Sequence, residues 1–163
     1  MTYRAATSED LKRLQQLAIL SWSRFKDVLT ADNWQKLYSN ISNVNTYTTL
    51  LEQSECIVCI AAEQVIGMAF LMSSGNPTDI YEAGWCSIRF VTVHPHHNGK
   101  GIGKKLTQLC IEKATKNGEK TIALHTSEFM NNARHIYESL GFTVLKEIPP
   151  RFDKKYWLYT LEI

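Results

Sequence analysis

The segment Val93-His94-Pro95-His96-His97-Asn98-Gly99-Lys100-Gly101-Ile102-Gly103-Lys104 constrains this chain more than any other. It leaves a run rich in β-branched residues and enters a helical stripe. Glycines there let backbone N–H groups approach an anion closely, and a helix N-terminus adds unpaired donors and positive dipole. Lys100, Lys104 and Lys105 add charge. Strand, glycine turn and helix in this order suit a pyrophosphate. Two common phosphate loops fail on spacing. For G-x-x-x-x-G-K-[ST], alignment on Gly103-Lys104 puts Asn98 at the first glycine and Lys105 at the hydroxyl position. For G-x-G-x-x-G, placing Gly99 and Gly101 leaves Lys104 at the third glycine, although Glu119 lies about 20 residues downstream.

The flanking pattern extends this unit in both directions. Tyr3 to Ala6 reads as a short strand, and Thr7 or Ser8 as a helix cap with Glu9 and Asp10 in the first turn. Leu11, Leu14, Leu17 and Ala18 recur at helical spacing, continued by Trp22 and Phe25. A second helix starts at Thr30 or Asp32 and carries Trp34, Leu37, Tyr38 and Ile41. Cys56–Ala62 and Val65–Met72 predict an antiparallel hairpin, and Trp85–Val93 a further strand. Ile102, Leu106, Leu109, Cys110 and Ala114 mark the helix after the glycines, which Asn117-Gly118 ends. Thr121–Thr126 is a strand. Ala133, Ile136, Tyr137 and Leu140 are a helical stripe stopped by Gly141, and Phe142–Ile148 and Tyr156–Leu161 are strands separated by Pro149-Pro150-Arg151. Antiparallel strands followed by β-α-β units predict an α/β fold with a mixed sheet and helices on both faces. The link from Val93 to Thr121 requires a right-handed crossover.

Composition narrows the function. The 163 residues fit one domain over 1–163, and a 44% hydrophobic content supplies a core. Eighteen basic against sixteen acidic side chains leave +2, too little for a dedicated nucleic-acid or polybasic membrane binder. No apolar run approaches the roughly 20 residues of a membrane span. Met1-Thr2-Tyr3-Arg4 lacks the basic-then-apolar order of a secretory leader. A soluble, cytoplasmic protein is expected. Cys56-Ile57-Val58-Cys59 spells a redox or zinc pair, but it lies in a strand, where residues three apart face opposite sides. The four cysteines, which include Cys86 and Cys110, therefore read as buried packing residues, and His94-Pro95-His96-His97 as a polar loop. No metal site is expected.

Taken together, Phe90-Val91-Thr92-Val93-His94-Pro95 and Asn98-Gly99-Lys100-Gly101-Ile102-Gly103 resemble the strand and cofactor loop of the GNAT superfamily of N-acetyltransferases, whose pattern is R/Q-x-x-G-x-G/A. Asn98 stands at the Arg/Gln position and offers donors over a shorter reach. Asn132-Ala133-Arg134-His135-Ile136-Tyr137-Glu138-Ser139-Leu140-Gly141-Phe142 is similar to that family's A-x-x-x-Y-x-x-x-GF element. The resemblance implies a GNAT-like fold with a central, mostly antiparallel sheet. It implies an acyltransferase moving the acetyl group of acetyl-CoA to a primary amine by direct attack. The alternative is a CoA-binding regulatory module without turnover.

The resemblance also distributes roles. Backbone N–H groups of Gly99, Lys100, Gly101, Ile102, Gly103 and Lys104 would hold the pyrophosphate, with Asn98 beside them. Val91, Thr92 and Val93 would pair with the pantetheine arm beside a strand bulge, and a backbone N–H there would receive the developing negative charge. Tyr137 occupies the position of the acid that protonates the thiolate. Ser87 stands where many relatives carry Glu, and His125 at the end of the partner strand is the favoured base. Met130 replaces a frequent Asn, so Asn131 is taken as a cofactor contact. The acceptor would approach Trp22, Phe25, Trp34 and Tyr38 from one side and Arg151, Phe152, Tyr156 and Trp157 from the other. A homodimer is compatible with the resemblance.

Overall fold

The computed structural model describes residues 1–163. Its elements are β1 (Thr2–Ala5), α1 (Leu11–Trp22), α2 (Ala31–Ile41), α3 (Val44–Gln53), β2 (Ser54–Ala61), β3 (Gln64–Met72), β4 (Cys86–Val93), α4 (Ile102–Lys116), β5 (Thr121–Ser127), α5 (Asn131–Ser139), β6 (Thr143–Arg151) and β7 (Lys154–Glu162). One seven-stranded sheet runs β1-β2-β3-β4-β5-β7-β6, and β4 with β5 is its single parallel pair. It is the mixed α/β sheet that the pattern predicts, mostly antiparallel as the resemblance implies. No helix is long and apolar enough to cross a membrane.

Alternation along β2 and β3 splits the core into two layers. Val58, Met68 and Phe70 face α1, α2 and α3, where Leu14, Leu17, Ile41 and Tyr47 close over them. Cys59, Ile66, Ala69 and Leu71 face the other way, toward Ile102, Leu106 and Cys110 of α4 and Tyr137 of α5. Each fully buried aliphatic or aromatic side chain contributes roughly 1.5–3 kcal/mol. Cys56 and Cys59 fall in opposite layers, as strand geometry requires. Gly67 fixes how closely α4 sits: a Cβ there would lie 2.8 Å from Ile102 Cγ2 and 3.0 Å from Leu106 Cδ1.

Three features depart from the pattern read in the sequence. The chain forms a third helix before the hairpin, α3, which carries three threonines, one fully buried residue, Tyr47, and the partly buried Leu50 and Leu51. Asn43 caps it, and the Tyr47 hydroxyl donates to the Ile41 carbonyl at 2.6 Å. The stripe of α1 stops at Trp22, and a short 3-10 turn carries Phe25. Pro149 and Pro150 lie inside β6 rather than between strands; β6 is an edge strand, where the missing N–H groups break no ladder. Its turn to β7 uses Phe152 and Asp153, both at positive φ, and Asp153 accepts a hydrogen bond from Asn33 of α2 at 2.8 Å. The turn is thereby tied to the helical layer.

Candidate active site

The site begins with a fault in the sheet. Met68 pairs with Thr92 and Phe70 with Arg89, so Phe90 and Val91 both stand opposite Ala69. Phe90 takes φ +55°, which a bulge tolerates and a regular strand does not. Its ring is held among Trp22, Tyr47 and Phe70, at centroid distances of 6.3, 6.0 and 6.3 Å. The Thr92 hydroxyl donates to the Phe90 carbonyl at 3.1 Å, and the Trp22 indole N–H reaches that hydroxyl at 3.4 Å. Pairing of β4 with β5 has already stopped before the bulge. Their register ends at Cys86–Ile122 and Ser87–Ala123, leaving the Arg89–Val93 edge without a strand neighbour.

The glycine loop follows. Gly99 and Gly101 both adopt φ +76°, and a Cβ at either would meet nothing, so backbone conformation rather than crowding selects glycine there. Gly103 differs: a Cβ would come within 3.3 Å of Ile136 Cδ1, so it sets the approach of α4 to α5. None of the backbone N–H groups of Gly99, Lys100, Gly101, Ile102, Gly103 and Lys104 finds an acceptor; the first amide of the segment to do so is Lys105, on the Gly101 carbonyl. A row of free donors at a helix N-terminus fits a diphosphate. The Ile102 side chain, by contrast, is buried in the core, so only its main chain belongs to the loop.

A cavity of about 360 Å³ opens between loop, bulge and α5. It brings together Val91, Thr92, Val93, Asn98, Gly103, Asn131 and Tyr137. Tyr137 is 7% exposed, packs edge-on against Phe142, and its hydroxyl makes no hydrogen bond within the chain. Burial pushes its pKa up, so the phenol keeps its proton. Asn131 reaches the cavity from the first turn of α5, and Met130 lines it too, with its sulfur on the Thr126 hydroxyl at 3.6 Å. The opposite wall is Ser21, Trp22, Arg24, Phe25, Val28 and Phe129. Ser21 is buried and its hydroxyl has no partner within the chain. Nothing in its sequence context marks Ser21, Arg24 or Phe129 as part of a site.

His125 lies outside this cavity, on the sheet face that carries α1. Its Nδ1 shares a short hydrogen bond with the Tyr81 hydroxyl, and its ring packs against Tyr156. Burial, with Arg151 and Arg89 adding positive field against Asp79, lowers its pKa to about 4. The imidazole is neutral at physiological pH. Arg89 lies over the Tyr81 ring at 5.0 Å and donates to the Ser87 hydroxyl at 3.0 Å. Of the expected acceptor residues, Trp22 and Phe25 line the cavity, while Phe152 and Tyr156 belong to the cluster around His125. Trp34 packs with Tyr38 away from it. Trp157 points to the other face, under the Arg134 guanidinium at 4.2 Å.

Burial also raises the pKa values of Cys86 and Cys110 to about 12 and pushes the Cys56 thiol up further. These three are not thiolates at neutral pH. A larger hollow of about 690 Å³ lies between β1, α3 and the far half of α4. Among its charges Arg4 bonds Asp10 and Lys113 bonds Glu55, and neither the loop nor the bulge reaches it.

Comparison with known proteins agrees with this geometry. Residues 13–142 match the model of the acetyltransferase (GNAT) family. N-acetyltransferase 8B of Homo sapiens is 28% identical over 81% of this chain and 54% of its own length. The L-amino acid N-acyltransferase MnaT of Escherichia coli is 36% identical over 36% of this chain and 34% of its own. The matched stretches thus cover from about a third to about half of these relatives. A PaiA N-acetyltransferase of Thermoplasma acidophilum, solved with coenzyme A, shares the fold across 100% of both chains, with a TM-score of 0.81 at 15% identity.

Proposed function

Since the chain belongs to the acetyltransferase (GNAT) family, we propose that it transfers the acetyl group of acetyl-CoA to a primary amine of a small molecule or peptide by direct attack. One observation carries the reading: a bulge just past the point where β4 parts from β5 stands one loop away from a row of unpaired amides. In this reading Gly99 to Lys104 hold the diphosphate through main-chain N–H groups, with Asn98 and Asn131 at the rim. The free edge at Val91 to Val93 aligns the arm as an added strand.

The thioester supplies the activated acetyl group. The chain's own residues do the rest. A backbone N–H at the bulge donates to the acetyl oxygen as negative charge develops there. The acceptor must arrive as free amine, since an alkyl ammonium has no lone pair and titrates near 10.4 in the lysine case. As the nitrogen–carbon bond forms and the carbon–sulfur bond breaks, the nitrogen gives up a proton. His125 is the proposed acceptor of that proton; burial and the two guanidinium groups, which lower its pKa to about 4, make it a weak base that passes the proton on to water. Tyr137 gives its phenolic proton to the departing sulfur and takes one back from water, which closes the balance with the proton released by the amine. The raised thiol pKa values speak against a cysteine relay.

Calorimetry with acetyl-CoA tests the reading, together with free-thiol release over a panel of amines. Saturable binding is expected, with at least about tenfold loss in Gly101→Asp, which sets a carboxylate against the diphosphate. No heat at millimolar acetyl-CoA would overturn it. Binding without thiol release for any amine would reassign the chain to a CoA-binding module.

A further inference from the structure

Arg89 is half-buried, yet it takes part in none of the ion pairs of the molecule. Its only hydrogen bond runs from Nε to the Ser87 hydroxyl, so the two terminal nitrogens of the fork face no partner. It stands just past the last β4–β5 pair, where the strands have parted, and directly before the bulge. The Tyr81 ring beneath it holds the guanidinium plane. Arg151 is the second cation of this face, and its one acid, Asp79, is 3.9 Å away with a side chain 81% exposed. A screened contact of that kind neutralises little. A partly desolvated guanidinium with an idle fork is suited to a planar anion with two oxygens.

Resting on the acetyl-transfer reading, we propose that the acceptor is an amino acid whose free carboxylate is held by Arg89, with Arg151 adding charge from the β6–β7 side. A bidentate clamp at Arg89 leaves the α-amine one carbon from the carboxylate, with the bulge beginning at the next residue of the strand. The same field disfavours polyamines and aminoglycosides, whose additional ammonium groups would meet two guanidinium groups and a single exposed acid. Burial is the first cause of the lowered His125 pKa, and the positive charge of Arg151 and Arg89 adds to it.

Matched acceptors test this. Each L-amino acid is assayed beside its amide and its decarboxylated amine, by thiol release at pH 8. The amide carries the larger free-amine fraction, so amine ionisation alone would favour it. The wild type is expected to prefer the carboxylate by about 10–100-fold in kcat/KM, the range of a charged hydrogen-bonded pair. Arg89→Gln should erase that preference chiefly through the KM of the acid, with acetyl-CoA affinity near wild type and any change in kcat shared by acid, amide and decarboxylated amine. Arg89→Lys should restore part of it. Equal use of acid and amide by the wild type, or an equal loss on both in Arg89→Gln, would overturn the clamp while acetyl transfer stood. Absence of turnover with every acceptor would overturn both.

Discussion

Tyr137 shows what the proposed chemistry asks of a packing position. The helical stripe alone assigns it to the core, and it is buried there against Phe142. Only its hydroxyl, without a partner and facing the cavity, separates it from a phenylalanine. Tyr137→Phe should therefore fold normally. It should lower kcat by about 100-fold, the range of a general acid, while acetyl-CoA affinity shifts less than about twofold. Stopped-flow thiol release and calorimetry read the two quantities separately, and unchanged kcat would return the residue to packing. Other residues of the site left no trace in the sequence. Ser21, Arg24 and Phe129 enter it through tertiary approach of α1, the turn after it and the β5–α5 turn. No local spacing encodes such an approach.

The element most exposed to a small change is α4. It rests on β3 at Gly67, where an added methyl would meet Ile102 and Leu106. These residues form the first turn and a half, the part that carries the free amides. Gly67→Ala should cost about 1–3 kcal/mol by overpacking. Tm should fall by about 2–4 °C for each kcal/mol, and acetyl-CoA should bind more weakly, although residue 67 touches no ligand. Thermal melts beside calorimetry test the coupling; a lower Tm with unchanged affinity would show that the turn recovers its place. At this scale the sequence was legible where periodicity was strong. The hairpin and α4 were readable in outline from apolar spacing, and the loop from its glycines. Helix α3 was not, because its threonines weaken helical propensity and only Tyr47 is fully buried. The course of β6 was obscured by Pro149 and Pro150, which an edge strand accepts and an interior one does not.

Across the whole molecule, His125 links the site to acid stability. Its pKa is about 4 in the folded protein against an ordinary value of 6.5. Between those values the unfolded chain takes up a proton that the native state refuses. Stability from this group is therefore fully present above about pH 6.5 and declines as pH falls toward 4, by up to about 3 kcal/mol. Chemical denaturation at pH 7.5, 6, 5 and 4 measures it. His125→Gln should be less stable at pH 7.5 if the Tyr81 bond is weakened, but should show a shallower decline in the acid range. A decline as steep as that of the wild type would assign the effect to other groups.

The left-handed turn of the main chain at Phe90 cannot straighten without pulling that ring out from among Trp22, Tyr47 and Phe70. Packing from two helices and a strand thus props the fork between the two parallel strands ajar from the moment the chain folds. A visitor finds the doorway already framed, and the entropy of shaping it has been surrendered in folding rather than at the encounter.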